Sequence, residues 1–257
     1  VTLISNHENI GFGRACNQGF QQTATPYVLL LNPDAVIDLA SLQTMIDFMD
    51  KTERAGMCGP AVREASGALK PAGGAPNPWS VLMRPVWPRW DSKQRRYVVP
   101  GEPPRQTDWI CGSVMLLRQS MLKKIGEFDS RFFLYFEETD LIRRAKQSGW
   151  EVWTVGAATA THVNAASAKS TQAPMMWGAL SEHYFRSRFY FMIKHFGWAM
   201  GILAELGELL TMSVRAALDS LRGKKYRVLR HRLQAPILKL PKPSPLAEKD
   251  SKASFHA

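Results

Sequence analysis

The sequence predicts an α/β fold, and three observations carry that prediction. Tyr27-Val28-Leu29-Leu30-Leu31 is a continuous apolar run that stops at Asn32-Pro33-Asp34. Leu39, Leu42, Ile46 and Met49 then recur at three- and four-residue spacing, the period of a helix with one buried face. Gly56-Met57-Cys58-Gly59 opens a further apolar run, and strand alternating with helix is the pattern of a sheet covered by helices. The chain has 257 residues, 45% hydrophobic and 21% charged, enough for one large domain or two small ones with a true core.

Taken in order, Val1–Ile4 reads as the end of a strand, and Asn9 to Gly13 leads into a helix through Arg14, Asn17 and Phe20. Tyr27–Leu31 lacks alternation, which suits a parallel strand covered on both faces, and Pro33 ends it because proline cannot donate to a ladder. Ala72 to Arg105, rich in Pro, Gly, Trp and Arg, reads as a long functional loop. Trp109–Arg118 reads as a strand and Ser120 as the cap of a short helix to Ile125. Phe128 to Phe136 leads aromatically into Glu137-Glu138-Thr139-Asp140, from which a helix runs to Gln147 and stops at Gly149. Glu151–Val155 and Ala160–His162 read as two extended pieces.

Beyond a Ser/Ala/Thr stretch, Met175–His195 and Gly197–Leu221 read as two helices. In the second, Glu205, Glu208, Arg215 and Asp219 fall near one stripe, with Trp198, Ile202, Leu206, Leu209 and Leu210 largely elsewhere. That pattern is amphipathic rather than membrane-spanning. From Pro236 on, Pro, Lys and Ser dominate and disorder is expected. The implied organisation is an α/β domain over 1–172, a helical region over 173–235 and a tail over 236–257.

Composition narrows the classes. Cys16, Cys58 and Cys111 stand apart with no Cys-x-x-Cys pair, which excludes a cysteine-built zinc site and fits a reducing compartment. No secretory leader opens the chain and no window of about 20 residues is free of charge. The net charge is +11, and Lys194–Ala257 holds 12 Lys and Arg against 5 Asp and Glu. An anionic membrane surface or a solvated basic tail explains this better than nucleic acid, for which no binding motif is present.

Several residues are candidates for chemistry. Asp34 stands at the carboxyl end of a strand, where open α/β sheets bind ligands, and its carboxylate suits a hard cation on a diphosphate. Asn-Pro-Asp is equally good turn chemistry. Glu137 and Glu138 point about 100° apart on a helix, so one can act as a general base while the other makes structural contacts. The pair with Asp140 also complements a helix dipole, and Asp140 has Arg143 and Arg144 one turn on. His162, a lone histidine near a strand end, is either structural or a ligand that Mn²⁺ would accept. Asn9-x-Gly11-x-Gly13 is a partial phosphate-loop signal or a simple turn. Trp79, Trp87 and Trp90 serve either a sugar or lipid surface, or a small satellite core.

In their joint order these pieces resemble glycosyltransferase family 2, in particular its bacterial rhamnosyltransferase-like branch. The resemblance rests on Asn9-Ile10-Gly11-Phe12-Gly13-Arg14-Ala15-Cys16-Asn17-Gln18-Gly19, on Tyr27 to Asp34, and on Trp109-Ile110-Cys111-Gly112 through Arg118. It continues in Gly126-Glu127-Phe128-Asp129, in Arg131 through Leu141, in Gly149-Trp150 and in His162. It implies a GT-A fold, Rossmann-like with a mostly parallel central sheet, and inverting transfer from a nucleotide-diphosphate sugar. Asn32-Pro33-Asp34 stands where the family places its DxD-type motif, so Asp34 would hold Mg²⁺ or Mn²⁺, with His162 where some members supply a further ligand. Glu138 matches the second position of the family's Glu-Asp pair, the catalytic base, with glutamate in place of the usual aspartate and Glu137 beside it. Asn9, Gly11, Arg14, Asn17 and Asn32 would line the donor; Trp109, Gly112 and Asp140 would lie on the acceptor side.

The family's first strand, helix and second strand would precede Val1, so a partial domain is expected. The implied role is transfer of a sugar, rhamnose among the options, to a glycan or lipid-linked acceptor in surface polysaccharide synthesis. The implied setting is cytoplasmic and peripheral at the inner membrane face. The alternative is a truncated, non-catalytic remnant acting as a binding module.

Overall fold

The computed structural model describes residues 1–87, 96–163, 179–224 and 228–241. In chain order the elements are α1 (Phe12–Gln21), β1 (Tyr27–Leu31), β2 (Ala35–Ile37), α2 (Leu39–Lys51), β3 (Ala55–Glu64), β4 (Pro71–Ala72) and α3 (Pro78–Met83). They continue with β5 (Arg96–Tyr97), β6 (Arg105–Gln106), β7 (Val114–Arg118), α4 (Gln119–Ile125), α5 (Glu137–Gln147), β8 (Glu151–His162), α6 (Ala179–Leu221) and α7 (Val228–Gln234). The expectations for Trp90, for Met175 as a helix start and for most of the tail fall outside the described residues.

The sheet runs β1-β7-β3-β8-β2, with β6 also on β8. Its longest ladder, β3 on β8, is parallel from Ala55↔Glu151 to Glu64↔His162, while the flanking pairs are antiparallel. Tyr27–Leu31 is therefore not the parallel strand expected: it pairs antiparallel with β7, Tyr27 opposite Arg118. It is also not covered on both faces: β1 ends the strand order, only Leu30 is buried, and Leu31 is exposed. Nor is Val1–Ile4 a strand; no described strand offers it a ladder, and Val1, Leu3 and Ile4 are exposed.

Core side chains pack on both faces of the central strands. Phe20, Met57, Met115, Leu117, Phe128 and Leu141 fill one face, and Met45, Met49, Cys58, Leu116 and Val155 the other. Arg118, at the last residue of β7, closes one end of the sheet, its guanidinium donating to the carbonyls of Ala55, Met49 and Thr52 and to the Tyr27 hydroxyl.

Three boundaries move from expectation. The strand expected over Trp109–Arg118 begins only at Val114, because Gly112 and Ser113 form a turn. The helix after it starts at Gln119 on an extended Arg118 without a side-chain cap, so Ser120 lies inside the first turn. Glu151–Val155 and Ala160–His162 are one strand whose register slips between Pro60 and Ala61.

The segment Ala72–Arg105 is not simply loop. Asn77-Pro78-Trp79-Ser80 forms a reciprocal capping box with proline at the first helical position, and α3 grows from it. Near the end of the described chain, Pro236, expected to begin a disordered tail, accepts a hydrogen bond from Arg232 Nη1 (3.1 Å). The expected break between the two C-terminal helices is real: Gly197 has φ 84° and kinks α6 into two arms. No helix among the described residues is long and apolar enough to cross a membrane.

Candidate active site

Two halves meet at one end of the sheet. The first is built on the turn after β1. Asn32 N donates to Ser113 O (3.0 Å) and Ala35 N to Asn32 O (2.9 Å), which leaves Asp34 at the strand end. β2 then pairs with β8, Ala35 opposite His162, and Val163 N donates to Asp34 O (2.8 Å). This register sets His162 Nε2 3.1 Å from Asp34 Oδ1. Their alignment is not that of a hydrogen bond, and both imidazole nitrogens are buried without a hydrogen-bond partner.

A buried, unpartnered imidazole beside a carboxylate is an arrangement that a divalent cation satisfies. The mixed N and O donors suit Mn²⁺ and tolerate Mg²⁺. Among the described residues no third His, Cys, Asp or Glu completes a cluster, so the remaining positions would fall to diphosphate oxygens and water.

The second half is the start of α5. Tyr135 and Phe136 both take positive φ (68° and 71°), turning the chain sharply into the helix. Glu137 points inward against α1: a Cβ on Gly13 would stand 3.6 Å from its Cβ. Burial, then the charge of Glu138, pushes Glu137 up to about 8, and its Oε2 has no partner. Burial, with Glu137 adding to it, pushes the Cys16 thiol up to about 12.

Glu138 points the other way. It lines a cavity of about 240 Å³ with Trp109, Tyr135, Tyr184, Arg84 and Thr139. Burial raises its pKa, and the backbone N–H groups of Glu138 and Thr139 partly offset this. Trp109 Nε1 donates to Thr139 Oγ1 (3.1 Å), fixing the indole over the helix start. Gly112 lies beside Glu138, and a Cβ there would stand 3.4 Å from Glu138 Cγ. Because Ser113 holds Asn32, the turn Gly112-Ser113 joins the Asp34 half to the Glu138 half.

The other anticipated residues take different places. Asn9 Oδ1 accepts from Gly11 N (3.0 Å), and Gly11 is left-handed at φ 88°. A Cβ on Gly11 would meet Phe133 O at 2.5 Å. Arg14 Nε donates to Ser130 O (2.8 Å). Asn17 both donates to Phe128 O (2.8 Å) and accepts from Phe128 N (3.0 Å). Arg14 and Asn17 thus clasp the segment leading to α5.

Asp140 is fully enclosed, with Arg144 Nε at 2.8 Å, Lys194 Nζ at 2.6 Å and His195 Nε2 at 2.7 Å. Burial would raise its carboxyl, but these three groups hold it below the usual range. It anchors α5 to α6 and does not line the Glu138 cavity. Of the two arginines anticipated beside Asp140, Arg144 pairs with it and Arg143 stacks on Phe196.

Tyr184 and Arg84 were not anticipated. Each reaches the cavity from an element distant in sequence, and no local pattern marks them. Trp79 and Trp87 are both exposed.

Residues 1–126 match the family model described as glycosyl transferase family 2. The chain is thus similar to glycosyltransferase family 2 over 126 of its 257 residues. It is 27% identical over 263 residues to the N-acetylglucosaminyl-diphospho-decaprenol L-rhamnosyltransferase of Mycobacterium tuberculosis, covering 90% of this chain and 81% of that protein. Against the rhamnosyltransferase WbbL of Escherichia coli K12 it is 27% identical over 143 residues, 53% of this chain and 52% of WbbL.

Among solved structures the fold matches the mannosyltransferase PcManGT of Pyrobaculum calidifontis in complex with GDP-Man and Mn²⁺. The TM-score is 0.52 at 11% identity, over 99% of this chain and 63% of that one. It also matches GalNAc-T7 with UDP, GalNAc and Mn²⁺, at TM-score 0.53 and 12% identity, over 86% of this chain and 43% of that one. The chain therefore has the GT-A fold, and it spans less than two thirds of the length of either of these structures.

Proposed function

We propose that this chain is a metal-dependent, inverting glycosyltransferase that works peripherally at the inner face of the cell membrane. It moves a sugar from a nucleotide-diphosphate donor to a hydroxyl of a glycan or lipid-linked acceptor in surface polysaccharide synthesis. The observation that carries this reading is Glu138 on the wall of an aromatic cavity, joined through Gly112-Ser113 to the Asp34–His162 pair. The rhamnosyltransferase relatives favour rhamnose as the sugar, and the decaprenol-linked substrate named for one of them favours a lipid-linked acceptor.

Asp34 and His162 would hold Mg²⁺ or Mn²⁺, which when bound offsets the charge of the departing diphosphate. Asn9 and Gly11 shape the loop at the N-terminus of α1, whose amides favour an anion, and Asn32 fixes the turn beside Asp34. Trp109, Tyr135 and Tyr184 offer flat apolar faces to a sugar ring, and Gly112 leaves room beside the base. Glu138 takes the acceptor hydroxyl proton as that oxygen bonds to the anomeric carbon. The anomeric carbon–oxygen bond to the diphosphate breaks on the opposite face, so one displacement inverts configuration and no enzyme nucleophile takes part.

Burial brings Glu138 closer to working pH, where a base is most effective. Glu137, held protonated near neutrality, spares Glu138 a second adjacent negative charge. Arg14, Asn17 and Asp140 position the segments that carry these groups.

The test is a donor screen with nucleotide sugars of rhamnose, galactofuranose, glucose and N-acetylglucosamine, reading product anomer by NMR with and without chelator. Transfer with inversion, lost to chelator and restored by Mn²⁺, is expected. Retention of configuration or indifference to chelation would overturn the reading.

A further inference from the structure

The second arm of α6 carries its charges inward and its apolar side chains outward. From Trp198 to Leu221 every exposed side chain is uncharged. Trp198, Leu203, Leu206, Leu210, Val214 and Leu218 are each between 45% and 65% exposed. At about 100° per residue Leu203, Leu206, Leu210, Val214 and the exposed Leu221 fall within about 80° of one another around the helix axis, so they form one face roughly 27 Å long at 1.5 Å per residue, with Trp198 and Leu218 at or beyond its margins.

The acids of the same arm lie behind that face. Glu205 and Glu208 are buried in a four-charge cluster with Arg188 of the first arm and Arg232 of α7. Asp219 pairs with Arg215 at 2.9 Å. Burial opposes the charge on Arg188, but Glu208 and Glu205 outweigh it, so the guanidinium stays charged. Rolling the arm to hide its leucines would strip two buried carboxylates of their partners, so the apolar face is fixed outward.

The rim of this face is basic. Arg222 and Lys224 are exposed directly after Leu221, and Arg230 is exposed on α7. Among the described residues from Lys194 on, no acidic side chain is exposed, because Glu205, Glu208 and Asp219 are all buried. A second copy of the chain would set basic rim against basic rim, whereas an anionic lipid leaflet complements it. The face is also bolted to the candidate active site. α3 packs on this arm, Thr211 Oγ1 donating to Leu82 O (3.1 Å), and Gly207 leaves room for Leu82, which would meet a Cβ there at 2.5 Å. Arg84, at the end of α3, and Tyr184, on the first arm, wall the cavity that holds Glu138.

We propose that the second arm of α6 is an interfacial anchor, lying in the plane of an anionic bilayer with Leu203, Leu206, Leu210, Val214 and Leu221 among the acyl chains and Arg222, Lys224 and Arg230 at the headgroups. Burying apolar side chains supplies adhesion and the basic rim selects anionic lipid. Docked in this way, the chain holds the Glu138 cavity next to the leaflet, where an acceptor hydroxyl whose lipid tail stays in the membrane can reach it. That role for the acceptor rests on the transferase reading; lipid binding by this face does not.

The test is flotation of the full chain, without donor or acceptor, on vesicles of phosphatidylcholine with phosphatidylglycerol and on phosphatidylcholine alone. The wild type is expected to float with the anionic vesicles more strongly than with phosphatidylcholine alone. Leu206→Glu with Leu210→Glu should weaken binding roughly a hundredfold or more, with the circular dichroism melt unchanged. Arg222→Ala with Lys224→Ala should abolish the preference for anionic vesicles.

Failure of the wild type to float, or binding by the leucine variant equal to wild type, would overturn the proposal. So would a self-associating species that Leu206→Glu dissolves in the absence of flotation, which would assign the face to a second copy. Flotation without sugar transfer would leave the anchor standing and count against the transferase reading alone.

Discussion

Gly112 lies against the methylene stem of Glu138, close enough that a Cβ on the glycine would stand 3.4 Å from Glu138 Cγ. The turn before β7 therefore packs directly on the stem of the carboxylate that lines the cavity. Glu138→Gln is expected to lower kcat by roughly 10²- to 10⁴-fold, the usual contribution of a positioned base, with donor binding retained. Steady-state kinetics with a donor titration checks this; loss of donor affinity without loss of kcat would remove Glu138 from the base role.

Glu137 has a different signature. Its folded pKa of about 8 lies above the ordinary 4.5, so between those pH values the folded chain keeps a proton that the unfolded chain has released. Stability then falls as pH rises through that window, by on the order of 3 kcal/mol at pH 7. Glu137→Gln mimics the protonated acid and should remove this slope while leaving kcat near wild type. Urea denaturation of both proteins at pH 5 and pH 7.5 reads the difference directly, and equal slopes would contradict it.

Asp34→Asn and His162→Ala should each keep the fold and weaken Mn²⁺ binding in the presence of a nucleoside diphosphate by at least about tenfold. Isothermal titration on folded variants makes the measurement. Unchanged Mn²⁺ affinity in both variants would remove the pair as a cation site.

Removing Arg188 breaks the buried cluster in α6. Arg188→Ala is expected to destabilise the chain by about 3–5 kcal/mol, because Glu205 and Glu208 lose a partner they cannot exchange for water. Chemical denaturation gives the value, and a loss under about 1 kcal/mol would show the cluster to be dispensable.

Gly11→Ala should fail for two separate reasons. Its φ of 88° disfavours any Cβ, and that Cβ would stand 2.5 Å from Phe133 O. A penalty of about 1–3 kcal/mol from the backbone conformation alone is expected, together with lost donor affinity. Both are read by denaturation and donor titration, and a neutral result would show that the loop can shift.

Much of this arrangement is legible in the residues. Helix α5 from Glu137 to Gln147 and the break at Gly197 follow from local period and glycine chemistry, and Asp34 and His162 stand at strand ends as expected. The opposite outlook of Glu137 and Glu138 follows from helix geometry, but which of them faces the cavity depends on α1 and Gly112. What the chain does not announce locally is relational. Tyr27–Leu31 shows that it is a strand, but neither its direction, which depends on β7, nor its place at the end of the sheet, which leaves Leu31 exposed. Asn77 and Ser80 are a capping box hidden in a stretch whose Pro and Gly content reads as loop. The period of the second arm of α6 is plain, yet its inside and outside are set by Arg188 and Arg232, which neutralise the acids from elsewhere in the chain. Tyr184 and Arg84 become neighbours of Glu138 only through the packing of α3 and α6.

The strand order also governs how the molecule comes into being. β1 meets β7, and β3 meets β8, between residues about eighty to a hundred positions apart in the chain, separations that slow folding. During synthesis the ribosome releases Tyr27–Leu31 and Ala55–Glu64 well before the strands that pair with them. Until His162 emerges, the apolar surface of Met57 and Cys58 has no finished sheet to enter, and the nascent chain is open to association with others like itself. Slower elongation lengthens that exposed interval, and a chaperone that shields the first third of the chain shortens it in effect. Recovery of native protein is therefore set largely by the time that passes between the third strand and the eighth.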